Sequence, residues 1–273
     1  MNRLAGLSVL AVALAAGSAA QTTKQAVTEP TAEKTGASAA PDPLGTKLLG
    51  DRHVRIVRLS HAQGKVGMDR GAGRGMEQAT QNMPIVEGML LGTADGAGYA
   101  EVEFEDGSTM RLGPGTVVKF SQLVTRATGA KATMVRVDRG TVYVSREKTK
   151  ADEFTVVAGG GRRMEVQPAT HMRLELDGTK AEVAVFSGNV TVDGSTAPVM
   201  VGKKQTLSVD VADTHSQGEL TKKVEEAPYD GWDKVAQKYH DRYAKGNSLE
   251  GGYRYDPNDP SFYGWSAIGG GWK

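Results

Sequence analysis

The chain has 273 residues, 33 Lys and Arg against 32 Asp and Glu, a net charge of +1 and no cysteine. This excludes a disulfide framework, a thiol nucleophile and a lipid anchor on a cysteine, and the even charge balance argues against an electrostatic nucleic-acid binder. Residues 1–20 have the pattern of an export signal. Met1-Asn2-Arg3 is a short positive start, Leu4 to Ala16 is apolar, and Ser18-Ala19-Ala20 satisfies a small-x-small cleavage rule. The apolar run gives out before the roughly 20 residues a membrane span needs, so cleavage after Ala20 is expected, with no membrane span retained.

Residues 21–50 read as a linker. They are rich in Ala, Thr, Lys, Glu and Pro, with almost no large apolar side chain to offset the entropy of ordering. From residue 51 to residue 212 the grammar is that of short β-strands. Ala100-Glu101-Val102-Glu103-Phe104 alternates, Asp106-Gly107 follows, and Met110-Arg111-Leu112 alternates again, which is a strong hairpin signal. Gly113-Pro114-Gly115 makes the next turn, before a strand that starts at Val118 and Phe120. Val135-Arg136-Val137 leads through Arg139-Gly140 to Val142-Tyr143-Val144. Phe154 to Val157 leads through three glycines to Met164-Glu165-Val166. Met172 to Leu176 leads through Asp177-Gly178 to Ala181 to Val185, and Ser187-Gly188-Asn189 leads to Val190-Thr191-Val192. Turns recur about every ten residues with no helical pattern between them. The expected class is all-β, an antiparallel sandwich or β-roll.

Residues 213–273 differ. Trp232, Val235, Ala236, Tyr239 and Tyr243 are spaced as one face of a helix, with Asp230 as its N-cap and Gly246 as its stop. A tail rich in Gly and aromatic residues follows. Ten of the sixteen aromatics fall between Tyr229 and Trp272. Two readings stand beside each other. The helix and tail cover an edge or face of the β domain, or Tyr253, Tyr255, Tyr263, Trp265 and Trp272 form a contact surface for a partner.

No motif for catalysis emerges. The five histidines include no pair at i, i+4, and Gly-x-Ser-x-Gly is missing. Gly71-Ala72-Gly73-Arg74-Gly75 lacks the Gly-Lys-Ser/Thr ending of a phosphate loop and reads as a hairpin connection. Gly159-Gly160-Gly161-Arg162-Arg163 is weighed as a small anion site and read as a β turn. Asp256-Pro257-Asn258-Asp259-Pro260 gathers oxygen ligands but reads as a rigid turn. Glu101, Glu103 and Glu105 read as a solvated face. No enzyme activity, cofactor or metal is expected.

Several of these runs resemble the FecR domain family. Asn82 to Thr93 is similar to the opening of that domain, and Ala100 to Leu112 to its strand, Asp-Gly-Ser turn and returning strand. Gly64-Lys65-Val66 resembles its first strand. Val137 to Val144 and Val185 to Val192 resemble two later strand units. The likeness spans about Arg52 to Val211. One departure is Ala169, which stands where the family has Gly. The resemblance implies a fold more than an activity. The iron-dicitrate sensor that names the family is a relay with a cytoplasmic segment that holds a sigma factor, a membrane helix and a periplasmic part. The expectation here is instead a stand-alone exported version, periplasmic or secreted. It would be a non-catalytic module for protein contact or envelope sensing, with an envelope protein as partner and cell-wall or polysaccharide (glycan) binding through the tail aromatics as the alternative.

Overall fold

The computed structural model describes residues 53–148, 151–213 and 215–246, with the side chains of 53, 54 and 243–246 left aside. The chain divides into two compact units, Met1–Lys47 and Leu48–Lys273, and every described residue lies in the second. The export signal and the linker expected up to residue 50 therefore fall outside the described residues, as do Tyr253, Tyr255, Tyr263, Trp265 and Trp272.

In chain order the strands are β1 (His53–Val54), β2 (Val57–Gln63), β3 (Val66–Asp69), β4 (Glu77–Gln78), β5 (Pro84–Ile85), β6 (Leu90–Thr93), β7 (Tyr99–Glu103), β8 (Thr109–Leu112), β9 (Val117–Thr125), β10 (Lys131–Ser145), β11 (Glu153–Ala158), β12 (Arg162–Val166), β13 (His171–Asp177), β14 (Lys180–Ser187), β15 (Asn189–Val192), β16 (Val199–Gly202), β17 (Gln205–Asp210) and β18 (Glu219–Thr221). One helix follows, α1 (Asp230–Gly246). The all-β class with a C-terminal helix is thus as expected.

The strands form two sheets that share β10. The first runs β4-β3-β6-β9-β10-β11-β12-β15-β16, with β1 beside β6 on the same edge of β9. The second runs β5-β2-β7-β8-β10-β13-β14-β17-β18. Among these pairs only β10–β11 is parallel. Alternation places one side of each sheet inward. Val135, Val137, Phe120, Val156 and Met164 from the first sheet meet Val142, Met110, Leu174 and Val183 from the second in one continuous buried core. Phe104 and Phe154 add an edge-to-face ring pair, with centroids 5.0 Å apart.

The hairpins read from the sequence are present at Asp106-Gly107, at the three glycines 159–161 and at Asp177-Gly178. Gly71 to Gly75 joins the antiparallel pair β3 and β4, as a hairpin connection does. Arg139-Gly140 is different. It is not a turn between two strands but a bend inside β10, which pairs with β9 and β11 before Gly140 and with β8 and β13 after it. The register against β9 slips between Val137 and Arg139, and such a bulge lets a strand change sheets.

Gly140 sits at φ 92°, and a Cβ there would lie 2.5 Å from Thr116 Cα. Thr116 holds the corner. Its Oγ1 donates to Thr141 O and accepts from Thr141 N, both at 3.0 Å. The same device recurs at Gly188 (φ 74°), where the chain leaves β14 in the second sheet for β15 in the first. There Thr170 Oγ1 donates to Asn189 O at 3.0 Å and accepts from Asn189 N at 3.1 Å. The residue before each Thr has positive φ: Gly115 at 70° and Ala169 at 58°. The Ala that stands in place of Gly therefore keeps the left-handed backbone without the residue that tolerates it best.

Candidate functional site

The outward side of the second sheet carries an unusual row. Registered pairing sets Glu101 opposite Arg111, Arg111 opposite Tyr143, Tyr143 opposite Arg173, and Arg173 opposite Ala184. Because Met110, Val142, Val144 and Leu174 point into the core, alternation sends Arg111, Tyr143 and Arg173 outward. An outward Arg is ordinarily wet. Here Arg111 and Tyr143 are fully buried and Arg173 is 3 % exposed, because α1 lies across the row.

The helix meets the row with its polar residues. Asp230, at its first position, receives two hydrogen bonds of 2.6 Å from Arg173 Nη1 and one of 2.8 Å from the Tyr143 hydroxyl. Asp233, one turn on and 1 % exposed, accepts from Arg111 Nη1 at 3.0 Å and lies 2.8 Å from His171 Nε2. Gln237 Oε1 accepts from the same Arg111 nitrogen at 2.8 Å. One turn further, His240 Nε2 lies 2.9 Å from the carbonyl of Gly107. On the sheet side, Glu101 accepts from Arg111 Nε at 2.6 Å and from Ser60 Oγ at 2.8 Å, and Arg173 Nε pairs with Glu175 at 2.5 Å. Arg111 Nη2 is buried with no hydrogen-bond partner.

Aromatic rings pack around the charges. Trp232 lies 4.8 Å from the ring of Tyr99 and 6.4 Å from that of Tyr143. Phe186 stacks on Tyr143 at 6.5 Å and contacts His171 at 4.9 Å.

The electrostatics follow from burial set against partners. Burial pushes the Asp230 carboxyl up, but hydrogen bonds from Arg173, the Ala227 amide and Tyr143 outweigh it and hold the group below its ordinary value. Glu101 shows the same balance, with burial opposed by the charges of Arg111 and His240 and the Ser60 bond, and it too ends lowered. Burial and the Asp230 carboxylate push the Tyr143 phenol well up, so it stays a donor. Glu175 is raised, chiefly by burial.

Two expectations change. The helix covers a face of the sheet, but with only part of its apolar stripe: Trp232 packs on Tyr99 and Tyr143, whereas Val235 and Tyr239 are 54 % and 44 % exposed and Asp233 and His240 are buried. The sheet face it covers is charged, so the polar side of α1 docks. Nor are the three glutamates a solvated face. Glu101 pairs with Arg111, Glu103 with Arg58 at 2.9 Å and Glu105 with Arg55 at 2.7 Å. The Arg162 side chain after the three glycines donates to the carbonyls of Asp193, Asp213 and Ser216, which fits the turn reading of that loop. The sequence signal that was available is the alternation itself. It places Arg111 and Arg173 at strand centres, where a long cation on an exposed face needs no partner but two aspartates one turn apart supply them.

Among the described residues no three His, Asp or Glu side chains are grouped to hold a metal, and no helix is long and apolar enough to cross a membrane.

Residues 92–191 match the family model described as FecR protein. The match includes Arg111, Tyr143, His171 and Arg173, and α1 lies beyond it. Two solved structures are similar, both of a candidate anti-sigma factor from Parabacteroides distasonis. One has 19 % identity and a TM-score of 0.41, covering 56 % of this chain and 71 % of its own. The other has 17 % identity and a TM-score of 0.41, covering 61 % and 82 %. No curated protein matches the chain.

Proposed function

We propose that this chain, with its FecR-like domain, is an exported, non-catalytic module that acts by protein contact in the bacterial envelope, in a regulatory or sensing role. The observation that carries the reading is the FecR match over residues 92–191. The signal-like pattern of residues 1–20 supports export. The site chemistry agrees with binding: on the outer face of the second sheet, the carboxylates and guanidinium groups are engaged with each other rather than presented to a substrate. The aromatic residues Tyr253, Tyr255, Tyr263, Trp265 and Trp272 follow α1 in sequence and are the proposed contact with the partner, an envelope protein.

The test is a pull-down from envelope extract with the full chain and with a chain lacking residues 253–273. Capture of one protein by the full chain, lost on truncation while the far-ultraviolet β signal is unchanged, supports the reading. Equal capture by both removes the aromatic segment from it. Retention on a peptidoglycan or glycan array, abolished by Trp265→Ala and Trp272→Ala, would move the reading to glycan binding.

A further inference from the structure

The outward row of the second sheet is made entirely by strands, and beside Glu101 and Glu175 of the sheet its two guanidinium groups take carboxylates from outside it. Arg173 takes both oxygens of Asp230, and Arg111 takes Asp233. Charge-assisted bonds of this kind are the strong, directional ones by which an arginine face recognises a carboxylate ligand. A helix that is a fixed part of a fold buries its apolar stripe. Helix α1 does so only in part: Trp232 packs on Tyr99 and Tyr143, while Val235 and Tyr239 stay exposed. It is tethered by residues 222–227, which have no regular structure. The fit is also incomplete. Arg111 is wholly buried, and its Nη2 has no hydrogen-bond partner, so the face has a donor that this helix does not use.

We infer that the outward face of the second sheet is a receptor for an acidic helical segment, and that α1 occupies it in cis as a displaceable ligand. The recognised chemistry is two carboxylates one helical turn apart, one for Arg173 with Tyr143 and one for Arg111 with His171. A partner helix of that pattern, with a further acceptor for Arg111 Nη2, competes with α1 for the row. This deepens the protein-contact reading above by naming a second surface and the class of segment it takes.

The probe is a fluorescent peptide of residues 227–246, added to the full chain and followed by anisotropy. A binding-competent state that is only partly populated weakens apparent affinity by that fraction. The full chain carrying Asp230→Ala and Asp233→Ala is therefore expected to bind the peptide about tenfold or more tightly than the unsubstituted chain does. A peptide carrying Asp230→Asn and Asp233→Asn is expected not to bind. Equal binding of the two peptides, or no binding to a substituted chain that keeps its β signal, overturns the inference. A second measurement needs no substitution. Excess peptide is expected to speed amide exchange in α1 of the unsubstituted chain while β8, β10 and β13 stay protected, and unchanged exchange at a saturating level of peptide overturns it. Either result is independent of whether residues 253–273 capture a protein.

Discussion

Arg173 Nη1 lies 2.6 Å from each carboxylate oxygen of Asp230, and this single contact fixes where the only described helix begins. The Tyr143 hydroxyl adds a third bond to the same carboxylate, so the start of α1 is set by two strands, β10 and β13. Replacing Asp230 by Asn keeps the shape and removes the charge. Charge-assisted bonds contribute roughly 1.5–3 kcal/mol, and α1 is expected to undock by about that amount. Amide exchange checks this: residues of α1 lose protection while those of β10 and β13 keep theirs.

Arg111→Ala leaves Glu101 and Asp233 as buried carboxylates without their cation. Breaking a buried pair in this way costs about 3–5 kcal/mol. The loss should appear as a lowered midpoint in denaturant, beyond that of Asp230→Asn. Adding Glu101→Gln to Arg111→Met is expected to recover part of it, because fewer unpaired charges then remain.

The pH dependence has a definite sign. Asp230 and Glu101 have lowered folded-state values. Such groups contribute stability that is present above the unfolded carboxyl value of about 4 and is lost as pH falls through the folded value. Glu175 is raised and works the other way, since its strain is relieved by protonation. The groups facing Asp230 are Arg173 and Tyr143, which stay protonated through this range; those facing Glu101 are Arg111 and His240. The docked helix is expected to persist from pH 7 to pH 5 and to loosen below about pH 4, read by the fluorescence of Trp232 in a chain carrying Trp265→Phe and Trp272→Phe. A signal that is flat down to acid unfolding of the sheets would contradict this.

Gly140→Ala places a Cβ 2.5 Å from Thr116 Cα at φ 92°. Backbone strain of this class costs about 1–3 kcal/mol, and the loss is expected in chemical denaturation. Ala169→Gly runs the opposite way. Ala169 holds φ 58°, and relieving a left-handed alanine is worth roughly 1 kcal/mol before the extra freedom glycine has when unfolded. A small gain in midpoint is expected, with the Thr170 corner intact.

The hairpins were legible because each rests on local chemistry. Asp106 shows why: its carboxylate accepts from the Ser108 amide and hydroxyl at 3.0 and 2.9 Å, and Gly107 takes φ 84°, so the turn forms from residues two apart. The bend at Gly140 was not legible, since Asp138-Arg139-Gly140 has the composition of a turn. Only the Thr116 hydrogen bonds, 25 residues away, and the strands on each side make it a bend within one strand. The docking face of α1 was not legible for a related reason. Periodicity reports where apolar residues lie, but the docking face is chosen by what it meets, and Arg111 and Arg173 are far away in sequence. Alternation alone gave no sign that Glu101 pairs with Arg111, because an outward glutamate opposite an outward arginine reads equally well as two solvated side chains until something covers them.

The sharing of β10 has a consequence for how the domain comes apart. Its first part is hydrogen-bonded between β9 and β11, and its second between β8 and β13. Removing this strand takes the centre out of both layers at once. Neither layer keeps a complete set of neighbours after the other melts, so the pair forms one cooperative unit. Calorimetric and van't Hoff enthalpies for the β domain are expected to agree. Assembly pays for the same arrangement in time, because partners as distant as Leu112 and Leu176 must both find β10 before either layer is whole.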